Sequence, residues 1–217
     1  MSQSNFDELN IVASERVYRS KDKEPQLSIE EYFGEMELPE EAKQKRIGIA
    51  YVILGTLIYL FTMIKAAQMA KEEFDISYYK KHLASEIKNA CREVLETDEY
   101  DERAKAFADQ IIDTTFNHIE TEYFTSEDRA LVDAENEANS IVTDFEFQEA
   151  IRSGKTKKQW ITMHDFRVRH THRAVDMTVI PIMEYFNVGD SSMLYPMDIE
   201  HGSLKEIVGC RCVCNYF

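Results

Sequence analysis

Basic and imidazole side chains crowd into one short stretch, between residues 167 and 173. Arg167, Arg169 and Arg173 alternate there with His170 and His172. Arginine binds phosphate or carboxylate through paired hydrogen bonds, so this spacing predicts an anion site. In an enzyme, His172 would act as general base while Arg167 and Arg169 stabilise a phosphorane, which describes a metal-independent ribonuclease.

The same arginines also permit a purely structural interpretation. Asp165 and Asp176 flank them, and ion pairs among these residues, with Trp160 packed over the pairs, would hold a small domain together. We favour this interpretation because no nucleophile, base and orienting group stand out as a trio. We therefore predict no catalytic residue and keep the ribonuclease as an alternative.

Three of the four cysteines, Cys210, Cys212 and Cys214, lie within five residues. Together with His201 they raise the hypothesis of a zinc site. The spacing argues against zinc, because structural sites use cysteine pairs separated by about two to four residues, and alternation along a strand would turn all three sulfurs to one face. We therefore predict buried thiols in a terminal strand, with no metal and no cofactor.

The expected compartment is a reducing cytoplasm. Cys91 stands alone in a helical pattern, so the four cysteines do not form the framework of a disulfide-rich secreted domain. The chain opens on the polar stretch Met1–Glu8, which lacks the apolar run of a secretion signal.

Charge is divided unevenly along the chain. The formal net charge is −15, but residues 150–217 hold nine Lys and Arg against seven Asp and Glu, a net of +2, which leaves −17 on residues 1–149. The acidity disfavours a protein that coats nucleic acid or anionic membrane with its whole surface. Residues 152–173 alone carry +6 and predict a local anion contact, with the candidate side chains Lys155, Lys157, Lys158, Arg167, Arg169 and Arg173.

The elements that must position these residues change character at Gly154. Before it, Gly and Pro are scarce and apolar residues recur at helical spacing. Capping residues predict helices that begin near Pro39, Asp75, Thr97 and Ser126. The first should run to about Glu73, and Gly154 should stop the last.

After Gly154, short apolar pieces alternate with polar turns, which is typical of short strands. These pieces are Trp160–Met163, Val179–Met183 and Ile207–Val213. The sequence therefore predicts an α+β protein, with a mostly helical N-terminal region followed by a small mixed C-terminal domain with short strands. Its predicted parts are a polar acidic arm over residues 1–37, a helical region over 38–153 and the small domain over 154–217.

One apolar run permits a different interpretation. Ile47 to Ile64 form 18 residues without a charge and follow three basic residues. Such a run has the minimum length and the basic flank of a membrane span. A helix buried on all sides in a bundle has the same composition, and we favour it because the run stops at Lys65 while the helical pattern continues through Ala66–Ala70. A membrane-anchored protein remains an alternative.

The order of residues after Lys155 resembles a known family. It runs W-x4-D-x-R-x-R-x2-H-R-x2-D, then TVIP, F-x2-G, YP-x-D and E-x3-C-R-C. This order is similar to that of the phage Mu F-like (phage head morphogenesis, minor head protein) family. The residues that carry the resemblance are Trp160, Asp165, Arg167, Arg169, His172, Asp176, Pro181, Phe186, Gly189, Tyr195, Pro196, Asp198, Glu206, Cys210, Arg211 and Cys212.

The preceding helix resembles this family too, through Asp128-Arg129-Ala130 and Ala134-Glu135-Asn136-Glu137. Three positions depart from the family pattern. Met177 and Met197 stand where the family has glycine, and Gly209 stands where it has asparagine. Glycine permits a positive φ, so its loss raises the question of whether the turn geometry is kept.

The resemblance implies a minor capsid protein of a tailed phage or prophage that acts in head assembly. It implies portal and capsid proteins as partners, a few copies within a larger assembly, and no membrane. The protein would assemble in the bacterial host cytoplasm and reside in the virion. DNA is a further candidate partner through residues 152–173.

Overall fold

The computed structural model describes residues 27–217. Within this part of the chain the helices come first and the short strands follow, which confirms the predicted α+β class. The helices are α1 (Ile29–Gly34), α2 (Glu40–Ala70), α3 (Ile76–Leu95), α4 (Asp101–Asn117), a 3-10 turn (Glu122–Thr125), α5 (Glu127–Arg152), α6 (His170–Arg173) and α7 (Leu204–Ile207). The strands are β1 (Lys157–Ile161), β2 (Val179–Pro181), β3 (Phe186–Val188), β4 (Ser191–Met193) and β5 (Val213–Tyr216).

Two helices begin at the side chains that the sequence identifies as caps. Asp75 accepts a hydrogen bond of 2.9 Å from the N–H of Tyr78 at the start of α3. Ser126 accepts one of 3.2 Å from the N–H of Arg129 at the start of α5. Gly154 follows the end of α5 with a φ of +74°. Both starts and the stop are confirmed, because each satisfies backbone groups that a helix end leaves free.

Two predicted helix bounds are wrong. Helix α2 ends three residues before Glu73, because Lys71 adopts the left-handed conformation with a φ of 57°. Helix α4 begins at Asp101 rather than at Thr97. The hydroxyl of Thr97 instead accepts a hydrogen bond of 3.3 Å from the N–H of Glu99, within a turn that precedes the helix.

Helix α2 packs against both α3 and α5. Its outward face leaves Tyr51 and Tyr59 exposed, so the prediction of a helix buried on all sides is wrong. Among the described residues, α2 is the helix long and apolar enough to cross a membrane. Its inward face nevertheless supplies the core residues Ile49, Ile53, Leu57, Leu60 and Ile64.

Residues 27–37 of the predicted arm contain helix α1. Ser28 and Glu31 form a capping box at its start, with bonds of 2.9 and 3.2 Å. The side chains of Ile29, Phe33 and Met36 are buried in the core of the helical region. The rest of the predicted arm, residues 1–26, lies outside the described residues.

The C-terminal unit, residues 154–217, contains two antiparallel sheets. One has the order β2-β1-β5, and the other is the hairpin of β3 and β4. Its core centres on Trp160 and Phe186 and includes Phe147 and Ala150 of α5. The strands differ from the predicted pieces: β1 starts three residues before Trp160, β2 ends at Pro181, and only Val213 of the third piece is in a strand.

Candidate functional site

Asp165 is the centre of a carboxylate–arginine network. It accepts bonds from the N–H and Nε of Arg167, at 2.9 and 3.3 Å, and contacts the buried guanidinium of Arg211. Both arginines also contact Glu35, beside α1. Partial burial acts against ionisation, but the hydrogen bond from Arg211 holds the pKa of Asp165 below its usual range. The network therefore ties the C-terminal unit to the start of the described chain.

Asp176 does not join this network, so the predicted pairing of Asp176 with arginine is wrong. Its Oδ1 accepts the N–H of Thr162 at 2.9 Å, and its Oδ2 lies 2.9 Å from Nε2 of His164. The charge of Asp176 raises the pKa of His164. The ring of Trp160 packs edge-on against those of His172 and Phe186.

The remaining arginines of the motif bind backbone oxygens. Arg169 donates to the carbonyl of Val208. Arg173 donates to the carbonyls of Asp165 and Phe166 at 3.2 and 3.1 Å. These two side chains stabilise loops of the C-terminal unit and do not converge on a common anion position with Arg167.

The predicted anion-binding side chains are also spread out. Lys158 is fully buried, between the rings of Phe147 and Phe186, and donates to the carbonyl of Ile182 at 2.6 Å. Burial lowers its pKa to about 8. It cannot contact an external anion in this conformation. Lys155 and Lys157 are exposed near the start of β1 and remain available.

His172 lies at the centre of the motif, inside the unit, with 1% of its surface exposed. Its Nε2 is 3.1 Å from Oε2 of Glu206. Its Nδ1 faces two sulfurs, 3.3 Å from that of Cys212 and 3.6 Å from that of Cys210. Edge-on contact with Trp160 closes the remaining side. A substrate cannot reach this imidazole, so the geometry gives no support to His172 as a general base for RNA cleavage.

The two sulfurs beside His172 form a coupled pair. A hydrogen bond between them lowers the pKa of Cys210, and His172 and Arg169 act in the same direction. The same bond raises the pKa of Cys212, which therefore keeps its proton longer.

The structure separates the third sulfur from this pair. Cys214 lies in β5 and interacts with Lys158 and Tyr216, and burial raises its pKa to about 12. The prediction that all three sulfurs share one face of a strand is wrong, because the strand begins only at Val213 and Cys210 and Cys212 precede it. His201 is not with the sulfurs either. Its Nδ1 lies 2.9 Å from Oδ2 of Asp198.

The departures from the family pattern occur where the backbone has a positive φ. Met177 has a φ of 59°, Met197 of 65° and Gly209 of 66°. The turn geometry that glycine or asparagine permits is therefore kept, with methionine in two of the positions. The motif glycine Gly189 has a φ of 59°, and a Cβ there would lie 2.7 Å from Oε1 of Glu206.

Three motif residues of the loop after β4 fix its shape. Asp198, which is buried, accepts the N–H groups of Leu194 and His201 at 2.8 and 3.2 Å. Tyr195 donates from its hydroxyl to Asp144 of α5 at 2.7 Å. Pro196, between them, is buried as well.

Sequence reasoning missed a polar face of α5 that holds these loops. Asn139 donates to the carbonyl of Cys210 at 3.0 Å, and Ser140 donates to that of Met197 at 3.0 Å. Asn136 accepts the N–H of Gly209 at 2.7 Å. The available signal was the spacing of Asn136, Asn139 and Ser140, three or four positions apart and so on one face of the helix.

Comparison of the chain with protein-family models, curated proteins and solved structures gave no match. The family resemblance therefore depends on the order of the motif residues in the sequence alone.

Proposed function

We propose that this chain is a minor capsid protein of a tailed phage or prophage, which acts in head assembly through contacts with portal and capsid proteins. The observation that carries the proposal is the order of the motif residues in the sequence, with which the backbone is compatible. The three positions at which this chain departs from the family's glycine or asparagine adopt a φ between 59° and 66°, although two of them are methionine here. Glycine and asparagine adopt this conformation most easily, so the turns are of the kind that the family's residues favour.

The surface of the C-terminal unit supports a role within an assembly. Six large apolar side chains are exposed on it, as many as on residues 27–153, which form a segment about twice as long. A contact with another protein would form through such exposed apolar side chains. These side chains are Phe166, Met177, Val179, Met183, Tyr185 and Phe217.

Co-expression with the portal protein of the same phage or prophage genome tests the proposal. We expect the two proteins to co-purify and the complex to weaken in the double variant Phe166→Ser and Met183→Ser. Met69→Ser is the matched control, because Met69 is 86% exposed at the far end of α2. Absence of co-purification with the wild-type chain, at low and high salt, would overturn the proposal.

DNA is a second partner within the same proposal. Lys155 and Lys157 are exposed side chains of the basic segment that are available for phosphate contacts. Charge reversal at both should reduce DNA retention without affecting portal binding. Equal DNA retention by the variant would exclude this contact.

The membrane-anchored alternative rests on the apolar character of α2. In the described fold, α2 also buries Arg46, whose guanidinium forms two bonds of 2.7 Å with Glu146 of α5. Moving α2 into a bilayer would break this pair and open the core. Fractionation of the full-length protein without detergent distinguishes a core helix from a membrane anchor. Recovery of the protein only in membranes would favour the membrane-anchored alternative.

A further inference from the structure

We infer that His172, Cys210 and Cys212 bind one zinc ion inside the C-terminal unit. The three side chains are buried, and their ligand atoms all lie within 4.8 Å of one another. The inference is independent of the role in head assembly.

The distances between the ligand atoms fit tetrahedral coordination. Zinc lies about 2.3 Å from a thiolate sulfur and about 2.0 Å from an imidazole nitrogen, so two such ligands of one ion are about 3.6 Å apart. Nδ1 of His172 is 3.3 Å from the sulfur of Cys212 and 3.6 Å from that of Cys210. An ion can therefore enter with small side-chain shifts.

The imidazole is oriented as a metal ligand requires. Its Nε2 faces the carboxylate of Glu206 at 3.1 Å, which places the ring proton on Nε2 and leaves the lone pair of Nδ1 directed at the sulfurs. Thr171 donates to the same carboxylate at 2.7 Å. Gly189 provides the space for it, since any side chain at that position would collide with Glu206.

The charges of the three ligands balance that of a dication. The ring of Trp160 packs edge-on against His172, and both side chains are buried. Two thiolates and a neutral imidazole around Zn²⁺ leave no net charge in this buried site.

The backbone that carries the sulfurs is fixed before any metal enters. Asn139 and Asn136 of α5 hold the carbonyl of Cys210 and the N–H of Gly209. Cys210 and Cys212 are 1% and 3% exposed, which argues against a reactive nucleophile and in favour of a structural ion. Among residues 27–217 no further Cys or His joins the cluster, and residues 1–26 contain neither, so these three side chains are the thiolate and imidazole ligands that the chain supplies.

Metal analysis of the reduced, full-length protein tests the inference. We expect one zinc ion per chain by plasma mass spectrometry, and thiolate-to-metal charge-transfer absorption after exchange with Co²⁺. Zinc affinity is measured in competition with a chromophoric chelator. Cys210→Ser and Cys212→Ser should each lower this affinity by more than about 100-fold, because loss of a ligand costs more than loss of a group that only hydrogen-bonds to a ligand.

Three variants complete the test. Cys91→Ser and Cys214→Ser are the matched controls, because both thiols are buried but lie outside the cluster, and they should bind zinc as the wild type does. Glu206→Gln should weaken zinc binding by about 10- to 100-fold. This substitution keeps both cysteines, so it still tests the inference if a cysteine variant fails to fold.

Two results would overturn the inference. The first is a wild-type protein that takes up no zinc and shows no charge-transfer band with Co²⁺. The second is zinc binding that persists in folded Cys210→Ser and Cys212→Ser variants.

Discussion

In the helical region, residues 27–153, core side chains recur at helical spacing along α2, α3 and α5, and the longest helix has 31 residues. In the C-terminal unit no strand exceeds five residues, and the core gathers around Trp160 and Phe186. Strands this short cannot fix a fold by backbone pairing alone. Polar side chains that bind loop backbone therefore help to fix the fold of the C-terminal unit. In the helical region, periodic apolar side chains have this role.

The largest expected effect tests whether the helical region depends on buried polar groups as well. Arg46→Ala removes the guanidinium that bonds Glu146 and Asn139, and it leaves these partners without their cation. We expect the free energy of unfolding to fall by about 3–5 kcal/mol in urea titrations. Arg92→Ala, at a half-exposed pair with Asp101, is the control and should cost less than about 1 kcal/mol. Equal losses of unfolding free energy in the two variants would contradict the distinction between a buried and a half-exposed ion pair.

A smaller loss is expected in the C-terminal unit from Gly189→Ala. The new Cβ would meet Oε1 of Glu206 at 2.7 Å and Cγ2 of Thr171 at 3.0 Å, and the position has a positive φ. We expect destabilisation of about 2–3 kcal/mol by thermal and urea unfolding. Gly154 also has a positive φ, but a Cβ there would meet no atom within 4 Å. Gly154→Ala should therefore cost only the free energy of placing alanine in this backbone conformation, about 1 kcal/mol. An equal cost at both glycines would show that the contact with Glu206 is not tight.

The pH dependence of stability tests a buried carboxyl in the helical region. Burial raises the pKa of Glu135 from 4.5 to about 8 in the folded protein. The folded state therefore binds this proton more tightly, and its stability falls as the pH rises from about 4.5 to about 8. Glu135→Gln should flatten this fall and add on the order of 1–3 kcal/mol at pH 8. Glu93→Gln, on the exposed side of α3, should leave the slope as it is. Loss of the slope in the control alone would contradict the assignment.

The smallest effect concerns an exposed methionine in the left-handed conformation. Met177 is 56% exposed with a φ of 59°, so Met177→Gly removes strain at little cost in packing. We expect a gain of up to about 1 kcal/mol in unfolding free energy. Met183→Gly, at a similarly exposed methionine without a positive φ, should instead lose stability. A loss in both variants would mean that the turn is not strained.

Prediction from the sequence worked where the determinants are local. Asp75, Ser126 and Gly154 act on backbone groups within a few residues, so their roles follow from the sequence. The start of α4 was missed because the hydroxyl of Thr97 can accept a backbone N–H within a turn as readily as at the start of a helix. The strands of the C-terminal unit were placed only coarsely, since pieces of three to five residues carry little periodicity.

Prediction failed where partners are far apart in the chain. His172 meets Cys210 and Cys212 across about forty residues, and spacing within the cysteine motif alone gave no sign of it. Glu35 meets Arg211 across a separation of 176 residues. Long-range pairing of this kind follows from the packing of whole elements, which a single sequence does not display.

Helix α5 contributes to both cores, through Ile141 on one side and Phe147 on the other. A cut at residue 154, where the composition changes, would thus remove part of the wall against which Trp160 and Phe186 pack. The smallest fragment that retains the motif as a folded body must begin before residue 127 and include α5 whole. Inheritance or transplantation of the motif between proteins should accordingly bring this helix along, with its polar face of Asn136, Asn139 and Ser140.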